Sequence, residues 1–184
     1  MEREIEVKVL NVDLDQVEQR LIQMGAKLIA EEAQVNTVID SKDMFIQKEL
    51  NSYLRIRETT DLMDKKKTIN LTLKKNIRRQ EARQNVEIST KIDNKEAMVA
   101  ILKDLGYHVV GEGFKKRKSY VYDGIRFDLD IWDEQTYPYP YMEIEVKDQK
   151  DLERAMRLLD IDKKNISTKS ITELREELER SRDS

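Results

Sequence analysis

The same five residues, Glu-Ile-Glu-Val-Lys, occur twice in this chain, at residues 4–8 and 143–147. Successive side chains of a β-strand point to opposite faces, so each copy would place two glutamates and a lysine on one face and two β-branched residues on the other. Any half-exposed antiparallel strand alternates in this way, and one copy alone would say little about function. The alternation recurs along the chain, however, and this recurrence constrains the fold.

Five further stretches alternate between polar and apolar residues and are predicted to be strands: residues 52–57, 68–75, 83–89, 115–119 and 126–130. The polar faces of all seven strands carry the acidic residues Glu4, Glu6, Glu87, Asp128, Asp130, Glu143 and Glu145, and the basic residues Lys8, Arg55, Arg57, Lys74, Arg83, Lys115 and Arg117. These strands are too many for one flat solvated face in a protein of 184 residues. We therefore predict a barrel with the charges inside. Because uncompensated buried charge is costly, its interior must hold water, ions or a ligand.

Composition narrows the possible functions. The 34 basic and 37 acidic residues give a net charge of −3, which offers no general support for binding to nucleic acid or to a membrane. The chain has no cysteine and one histidine, so any metal would be oxygen-ligated, as Mg²⁺ and Mn²⁺ are. No stretch approaches the ~20 apolar residues of a membrane-spanning helix. We expect a cytoplasmic protein.

Apolar residues spaced three or four apart predict helices after three of the strands and near the C-terminus, over residues 14–24, 98–105, 152–159 and 171–180. No linker rich in Gly, Pro or Ser divides the chain. The length suits one domain with a real core. We expect this domain to cover residues 1–175, with residues 176–184 forming the end of the last helix and a frayed tail.

The charged interior suggests phosphate chemistry. Arginine binds phosphate oxygens bidentately and lysine binds them as a point charge, whereas clustered carboxylates suit Mg²⁺ or Mn²⁺. The two together are typical of phosphoryl transfer, in which catalysis is mostly positioning and charge neutralisation. The chain has only five glycines and no glycine-rich phosphate loop, so side chains would have to form the phosphate cradle.

Six motifs in a fixed order resemble the CYTH superfamily, also called triphosphate tunnel metalloenzymes. They are the ExExK motif at residues 4–8, LRIR at 54–57, LTLK at 71–74, KxRxxY at 115–120, the acidic strand with Asp130, and the closing ExE at 143–145. The resemblance covers roughly residues 1–175. The superfamily includes class IV adenylate cyclases, thiamine triphosphatases and inorganic triphosphatases.

The resemblance implies an α+β fold, a single-domain eight-stranded antiparallel β-barrel that forms a triphosphate tunnel with helices packed outside. At the matched positions, it implies the phosphate ligands Lys8, Arg55, Arg57, Lys74, Lys115 and Arg117, and Arg83 is a further candidate. It implies that Glu4, Glu6, Glu87, Asp130, Glu143 and Glu145 bind Mg²⁺ or Mn²⁺ or, in part, position the basic residues and an attacking water. Among these residues we expect Glu6, Glu145 and Lys8 to be catalytic. Reasoning from the residues alone does not decide which of Asp128 and Asp130 is the site residue.

The sequence departs from the family pattern at several positions. Many relatives have an acidic residue and an aromatic residue where this chain has Asn36 and Val38, and a second glutamate where it has Asn85. The loss of a carboxylate at position 85 would leave the metal site with one acidic ligand fewer. The segment 136–141, Thr-Tyr-Pro-Tyr-Pro-Tyr, replaces a glycine-containing turn, and its aromatic rings would either pack a loop or stack on a base. We expect Trp132 to be a packing anchor.

Three functions remain open. The first is metal-dependent hydrolysis of the terminal phosphate of inorganic triphosphate, a nucleoside triphosphate or thiamine triphosphate. The second is a class IV adenylate cyclase, in which the ribose 3′-hydroxyl of ATP attacks the α-phosphorus and pyrophosphate leaves. The third is a non-catalytic module that binds polyphosphate or a nucleotide. We favour the triphosphatase, and expect a triphosphate-containing small molecule as partner and no nucleic acid or membrane. The sequence leaves the oligomeric state open, with a homodimer as one alternative because relatives are often dimers.

Overall fold

The computed structural model describes the backbone of residues 2–79 and 83–182, and the side chains of residues 5–76 and 85–181. The strands are β1 (Glu2–Val9), β2 (Lys27–Ser41), β3 (Ser52–Asp61), β4 (Lys67–Arg79), β5 (Arg83–Ile92), β6 (Tyr107–Tyr122), β7 (Ile125–Trp132), β8 (Tyr141–Val146) and β9 (Ile166–Ser167). The helices are α1 (Leu14–Gln23), α2 (Phe45–Lys48), α3 (Lys95–Asp104), α4 (Gln149–Leu158) and α5 (Ile171–Arg182), with a 3₁₀ turn at Lys163–Asn165.

The first eight strands surround a tunnel. Their order is β5-β4-β3-β2-β6-β7-β8-β1, and β1 also pairs with β5, so that each of the eight strands has two neighbours. Every pairing in this ring is antiparallel. The predicted α+β fold with an antiparallel tunnel is therefore confirmed. The two-residue β9, which the sequence did not predict, pairs with the end of β1.

The main hydrophobic core lies outside the tunnel, between the barrel wall and helices α1 and α4. The outward side chains of β1, β7 and β8 form its floor, and Leu21 of α1 together with Leu152 and Ala155 of α4 covers them. Leu21 and Ala155 are fully buried. Burial of one large aliphatic side chain contributes roughly 1.5–3 kcal/mol. This packing holds the apolar strand faces outward and thereby directs the alternate, charged residues into the tunnel.

Local sequence signals fix the ends of several elements. Asp13, Asn94 and Asp148 cap the N-termini of α1, α3 and α4 with side-chain oxygens that accept backbone N–H groups. The turn between β6 and β7 is Asp123-Gly124, where both residues have positive φ angles of 47° and 76°. This backbone is what an Asp-Gly pair favours in a two-residue hairpin loop.

Two strands are longer than the sequence predicts. The sequence of residues 34–40 predicts a short strand, which forms the end of the 15-residue β2. Residues 59–67 are predicted to be a polar connector, but β3 continues to Asp61. Cross-strand partners explain the greater length of β2, because Glu31 and Glu32 lie opposite Lys118 and Arg117 of β6. Such opposite-charge pairs stabilise a strand that lacks alternating polar and apolar residues. Among the helices of the described chain, none is long and apolar enough to span a membrane.

Candidate active site

The barrel encloses a cavity of about 560 Å³ that is lined by residues of the eight barrel strands and by the start of α5. Ten of the predicted site residues line it: Glu6, Lys8, Arg55, Arg57, Lys74, Glu87, Lys115, Arg117, Glu143 and Glu145. Strand alternation accounts for this, because each of these residues is followed by a side chain on the outer face. Glu4 and Arg83 lie in β1 and β5, but their side chains are outside the described residues.

Arg117 of β6 is at the centre of the largest ion-pair network. Its guanidinium contacts carboxylate oxygens of Asp128 at 2.6 Å, Asp130 at 2.5 Å and Glu143 at 2.5 Å. The strand register produces this arrangement, since Arg117 pairs with Asp130 and Asp128 pairs with Glu143. Burial alone would lower the pKa of Arg117, but the three carboxylates raise it well above its ordinary value. Arg117 is therefore a fixed cation.

Asp130 is fully buried and contacts two cations. Its Oδ2 accepts a hydrogen bond from Lys115 Nζ at 2.9 Å, and both of its oxygens accept from Arg117. Burial and the neighbouring Arg117 lower the pKa of Lys115 to about 7, although Asp130 opposes the shift. Asp130 thus orients Lys115 and Arg117 rather than facing the cavity. With both oxygens bound to cations, Asp130 is not among the metal ligands that we propose.

Lys8 and Glu143 form a cross-strand pair between β1 and β8, with 3.0 Å between Lys8 Nζ and Glu143 Oε1. Burial alone would raise the pKa of Glu143, but Lys8, Arg117 and Lys115 hold it well below its usual range. Glu143 is consequently an anion that holds two cations at the tunnel wall.

Glu6 of β1 lies next to side chains from three other strands, β4, β5 and β8. It lies directly opposite Glu145 of β8 in the strand register. Its Oε1 accepts a hydrogen bond from Asn85 Nδ2 at 2.9 Å, and its Oε2 lies 3.3 Å from Lys74 Nζ. Lys74 also contacts Glu87 at 3.0 Å. Two carboxylates on neighbouring strands are thus brought together, with an amide and an ammonium group beside them.

The donor set fits a divalent metal only in part. The described residues contain no group of three acidic or histidine side chains arranged to hold a metal ion. Glu6 and Glu145 supply two hard oxygen ligands, which is the number Mg²⁺ often takes from a protein when phosphate and water supply the rest. The residues present therefore suit a Mg²⁺ or Mn²⁺ ion whose coordination is completed by a phosphate-containing substrate.

Arg55 and Arg57 of β3 differ from the other tunnel cations, because neither forms an ion pair with a carboxylate of the described side chains. Arg57 donates from Nε to Asn36 Oδ1 at 2.9 Å, and Arg55 lies 5.4 Å from the Tyr53 ring centroid. Burial, followed by repulsion from Arg55 and Arg117, lowers the pKa of Arg57 to about 10. Glu87 attracts both arginines without a direct ion pair, so this wall of the tunnel carries positive charge that an anion would stabilise.

Some residues that line the tunnel cavity lie outside the six sequence motifs. Arg126 of β7 contacts Asp128 at 2.8 Å and lies 3.9 Å from Glu145. Alternation in the predicted strand 126–130 places Arg126 on the same face as Asp128 and Asp130. Glu173 and Arg175 at the start of α5 also line the cavity. No local signal indicates this, because the position of α5 depends on how the helix packs.

The aromatic segment packs α5 against the barrel. Tyr137 and Tyr141 are buried and contact Leu174 of α5, while Tyr139 is exposed. The indole Nε1 of Trp132 donates to the hydroxyl of Tyr141 at 2.7 Å. For Tyr137 the geometry supports the packing alternative over stacking on a base, whereas Tyr141 both packs on α5 and lines the cavity.

Comparison with known families agrees with this geometry. The model of the CYTH domain matches residues 2–173. This chain belongs to the CYTH domain family. Members of the family are triphosphatases or adenylate cyclases and bind triphosphate substrates such as ATP. No curated protein matches the sequence significantly.

Solved structures share the fold at low sequence identity. The PH1819 protein of Pyrococcus horikoshii superposes with a TM-score of 0.78 at 22% identity, covering 95% of this chain and 98% of that one. A proposed adenylate cyclase of Vibrio parahaemolyticus gives 0.73 at 16% identity, covering 94% and 97%. HpAC1 of Hippeastrum, a proposed adenylyl cyclase with a dominant triphosphatase activity, gives 0.66 at 17% identity, covering 92% and 91%. These likenesses concern the fold of this CYTH chain.

Proposed function

We propose that this CYTH protein is a divalent-metal-dependent triphosphatase that binds a triphosphate inside the tunnel and hydrolyses its terminal phosphate. The observation that carries the proposal is the pair Arg55 and Arg57. Arg55 is buried and Arg57 is half-buried, and neither forms an ion pair with a described carboxylate. Buried cations are costly unless they are paired, and guanidinium groups bind phosphate oxygens bidentately. A polyphosphate anion in the tunnel would remove this cost.

The remaining cations would complete the phosphate cradle. Lys8, Lys74, Lys115 and Arg117 line the same cavity and are held in place by carboxylates. Because these ion pairs fix the side chains before the substrate arrives, little reorganisation accompanies binding. Arg83 would add a further cation from β5.

The metal would be held by Glu6 and Glu145, and Glu4, two residues before Glu6 in the sequence, would be a third ligand. When bound, Mg²⁺ or Mn²⁺ would neutralise the developing negative charge on the phosphate oxygens. Glu145, which is about one-third exposed, would orient the attacking water and accept its proton. Lys8 would provide fixed positive charge beside the transferred group. Glu87 and Glu143 would position Lys74, Lys8 and Arg117.

A class IV adenylate cyclase is the second candidate, supported by the fold shared with proposed cyclases. A cyclase must hold the adenine base so that the ribose hydroxyl reaches the α-phosphorus. Two of the tyrosines that the sequence offered for this purpose, Tyr137 and Tyr141, are buried against α5. The packing of these rings favours the hydrolase, which needs contacts only to the phosphates.

The test is a product assay on the purified protein with Mg²⁺ or Mn²⁺. Inorganic triphosphate, thiamine triphosphate and ATP would be supplied separately, and orthophosphate, pyrophosphate and cyclic AMP measured. Arg57→Ala and Glu6→Gln should each lower orthophosphate release from triphosphate by about 100-fold. The matched control is Lys75→Ala, because Lys75 is exposed and next to the tunnel residue Lys74.

Each outcome has a distinct meaning. Orthophosphate release that is lost in both variants and kept in Lys75→Ala supports the triphosphatase. Cyclic AMP and pyrophosphate from ATP would overturn it in favour of the cyclase. No product from any substrate would also overturn it, and a rise in melting temperature with triphosphate would then identify a binding module.

A further inference from the structure

Asn36 of β2 has a buried amide nitrogen with no hydrogen-bond partner among the described side chains. The side chain is 2% exposed and lines the tunnel cavity. Its Oδ1 accepts a hydrogen bond from Arg57 Nε at 2.9 Å, whereas its Nδ2 has no hydrogen-bond partner among the described residues. A buried donor that remains unsatisfied costs about 1–3 kcal/mol. Buried polar groups in folded proteins are nearly always satisfied, so this donor indicates an acceptor outside the described residues, which a bound ligand can supply.

The orientation of the Asn36 amide is fixed by its neighbour. The Nε of Arg57 can only donate, so the group facing it must be the amide oxygen. Turning the amide over would place two donors against each other. Nδ2 is therefore directed away from Arg57 Nε by the chemistry of the pair, and its lack of a partner does not depend on how the amide is assigned.

A second unsatisfied donor lies on the same wall. Arg55 Nε is buried without a hydrogen-bond partner among the described residues, and Arg55 pairs in register with Val38, two residues along β2 from Asn36. Asn36 itself pairs in register with Arg57. The wall made by β2 and β3 thus contains one amide donor and two guanidinium groups. The two carboxylates that we propose as metal ligands, Glu6 and Glu145, lie on β1 and β8.

We propose that Asn36, Arg55 and Arg57 form a metal-free subsite in which the Asn36 amide donates directly to a nonbridging oxygen of the bound triphosphate. This inference rests on the proposed function and identifies a specificity-determining residue within that site. A carboxylate at position 36 would offer only acceptors and would repel phosphate unless a cation lay between them. The amide reverses this preference, so one end of the triphosphate binds to protein donors alone.

The consequence is that the triphosphate binds measurably without divalent metal. A purely structural role for Asn36, which would be to hold Arg57, predicts a different result. An aspartate at position 36 keeps the acceptor for Arg57 Nε and strengthens it, because a charge-assisted hydrogen bond is stronger than a neutral one. Asn36→Asp therefore separates donation to the substrate from positioning of Arg57.

The experiment measures binding of inorganic triphosphate by isothermal titration calorimetry in EDTA, with a parallel series in Mg²⁺. We expect Asn36→Asp to raise the Kd in EDTA by about tenfold to 100-fold, through loss of one charged hydrogen bond and addition of a like charge. The matched control is Asn94→Asp, which makes the same chemical change at the N-cap of α3, where aspartate caps equally well. Its Kd should remain within about threefold of the wild-type value.

The outcomes separate this inference from the proposed function. Equal or tighter binding by Asn36→Asp in EDTA would show that Asn36 only positions Arg57 and would overturn the subsite. Wild-type binding that requires Mg²⁺ would overturn the metal-free subsite and leave the triphosphatase proposal intact. No binding by the wild type in either buffer would overturn both. Melting temperatures of the variants in EDTA establish that each is folded.

Discussion

Lys8 of β1 lies directly opposite Glu143 of β8, and their side chains form an ion pair with 3.0 Å between Nζ and Oε1. The two side chains are 6% and 14% exposed, so the pair is largely withdrawn from solvent. Glu143 also contacts Arg117 at 2.5 Å. One carboxylate therefore neutralises cations from two different strands, and its removal would deprive both cations of this partner.

We predict that Glu143→Gln lowers the free energy of unfolding by about 2–3 kcal/mol at pH 7. Removal of one partner leaves a buried charge uncompensated, which costs most in a dry interior and somewhat less in a tunnel that admits water. Urea denaturation at pH 7 measures the change. The control is Glu153→Gln on α4, because Glu153 is 64% exposed and its ion pair with Arg157 spans 4.0 Å. A loss below about 0.5 kcal/mol in Glu143→Gln would contradict the prediction.

We predict that Gly113→Ala destabilises the loop between β7 and β8. A Cβ atom at position 113 would lie against the side chain of Thr136 and 3.1 Å from Cζ3 of Trp132. Asp133 holds this loop through hydrogen bonds to the backbone N–H groups of Phe114 and Thr136, so the loop cannot easily move away. Overpacking of this kind costs about 1–3 kcal/mol, measurable by urea denaturation.

The matched control for that prediction is Gly111→Ala, two residues earlier on β6. A Cβ atom at Gly111 would meet none of the described atoms within 4 Å. We expect this variant to be as stable as the wild type within about 0.5 kcal/mol. Equal destabilisation of the two variants would mean that the backbone of β6 rather than the loop contact determines the effect.

The tunnel residues could be predicted because strand alternation depends only on the sequence. Residues such as Glu6, Lys8 and Arg57 face inward for the same reason that Val7 and Ile56 are buried on the outside. The pairing of these charges could not be predicted, because it depends on the register between strands far apart in the chain. Whether Glu6 meets Glu145 or another residue is decided by the β1–β8 register and by the packing behind it.

Other parts of the site depend on tertiary packing that no local pattern encodes. The start of α5 lines the cavity because Leu174 packs on Tyr137 and Tyr141, contacts between segments that the sequence alone does not connect. The sequence did identify Asn36 and Asn85 as departures from the family pattern. It could not show that the Asn36 amide faces Arg57 and that the Asn85 amide faces Glu6.

We predict that Glu18 makes the protein more stable at neutral pH than in acid. Burial alone would raise the pKa of Glu18, but hydrogen bonds from Lys118 and Tyr120, at 2.7 Å and 2.5 Å, outweigh it and lower the pKa. A carboxyl group whose pKa is lower in the folded state stabilises the fold above its unfolded pKa of about 4.3, and this contribution is lost as the pH falls through the folded value.

Glu18→Gln should therefore lower the free energy of unfolding by about 1 kcal/mol at pH 7. The difference from the wild type should shrink as the pH falls below about 4.3. Urea denaturation across this range measures both values. A difference that stays constant down to the lowest pH at which the protein folds would show that the charge of Glu18 is irrelevant and that only its packing matters.

We predict that Asn85→Asp makes stability depend on divalent metal. Asn85 is fully buried, and its amide donates a hydrogen bond to Glu6 at 2.9 Å. An aspartate at position 85 would replace this N–H donor with a second carboxylate next to that of Glu6. One of them must then take up a proton or bind a cation. In EDTA we expect a loss of about 2–3 kcal/mol in the free energy of unfolding. Saturating Mn²⁺ should restore about 2.7 kcal/mol at a metal concentration near 100 times the Kd.

Asn36→Asp is the matched variant for this last prediction, because it makes the same change on the wall where the neighbours are Arg55 and Arg57. A carboxylate there gains cationic neighbours, so its stability in EDTA should not fall and Mn²⁺ should add no more than it adds to the wild type. Thermal unfolding of both variants with EDTA and with Mn²⁺ makes the comparison. If Mn²⁺ stabilised the two variants equally, the acidic β1–β8 side of the tunnel would have no special affinity for metal, and Glu6 and Glu145 would lose their proposed role as ligands.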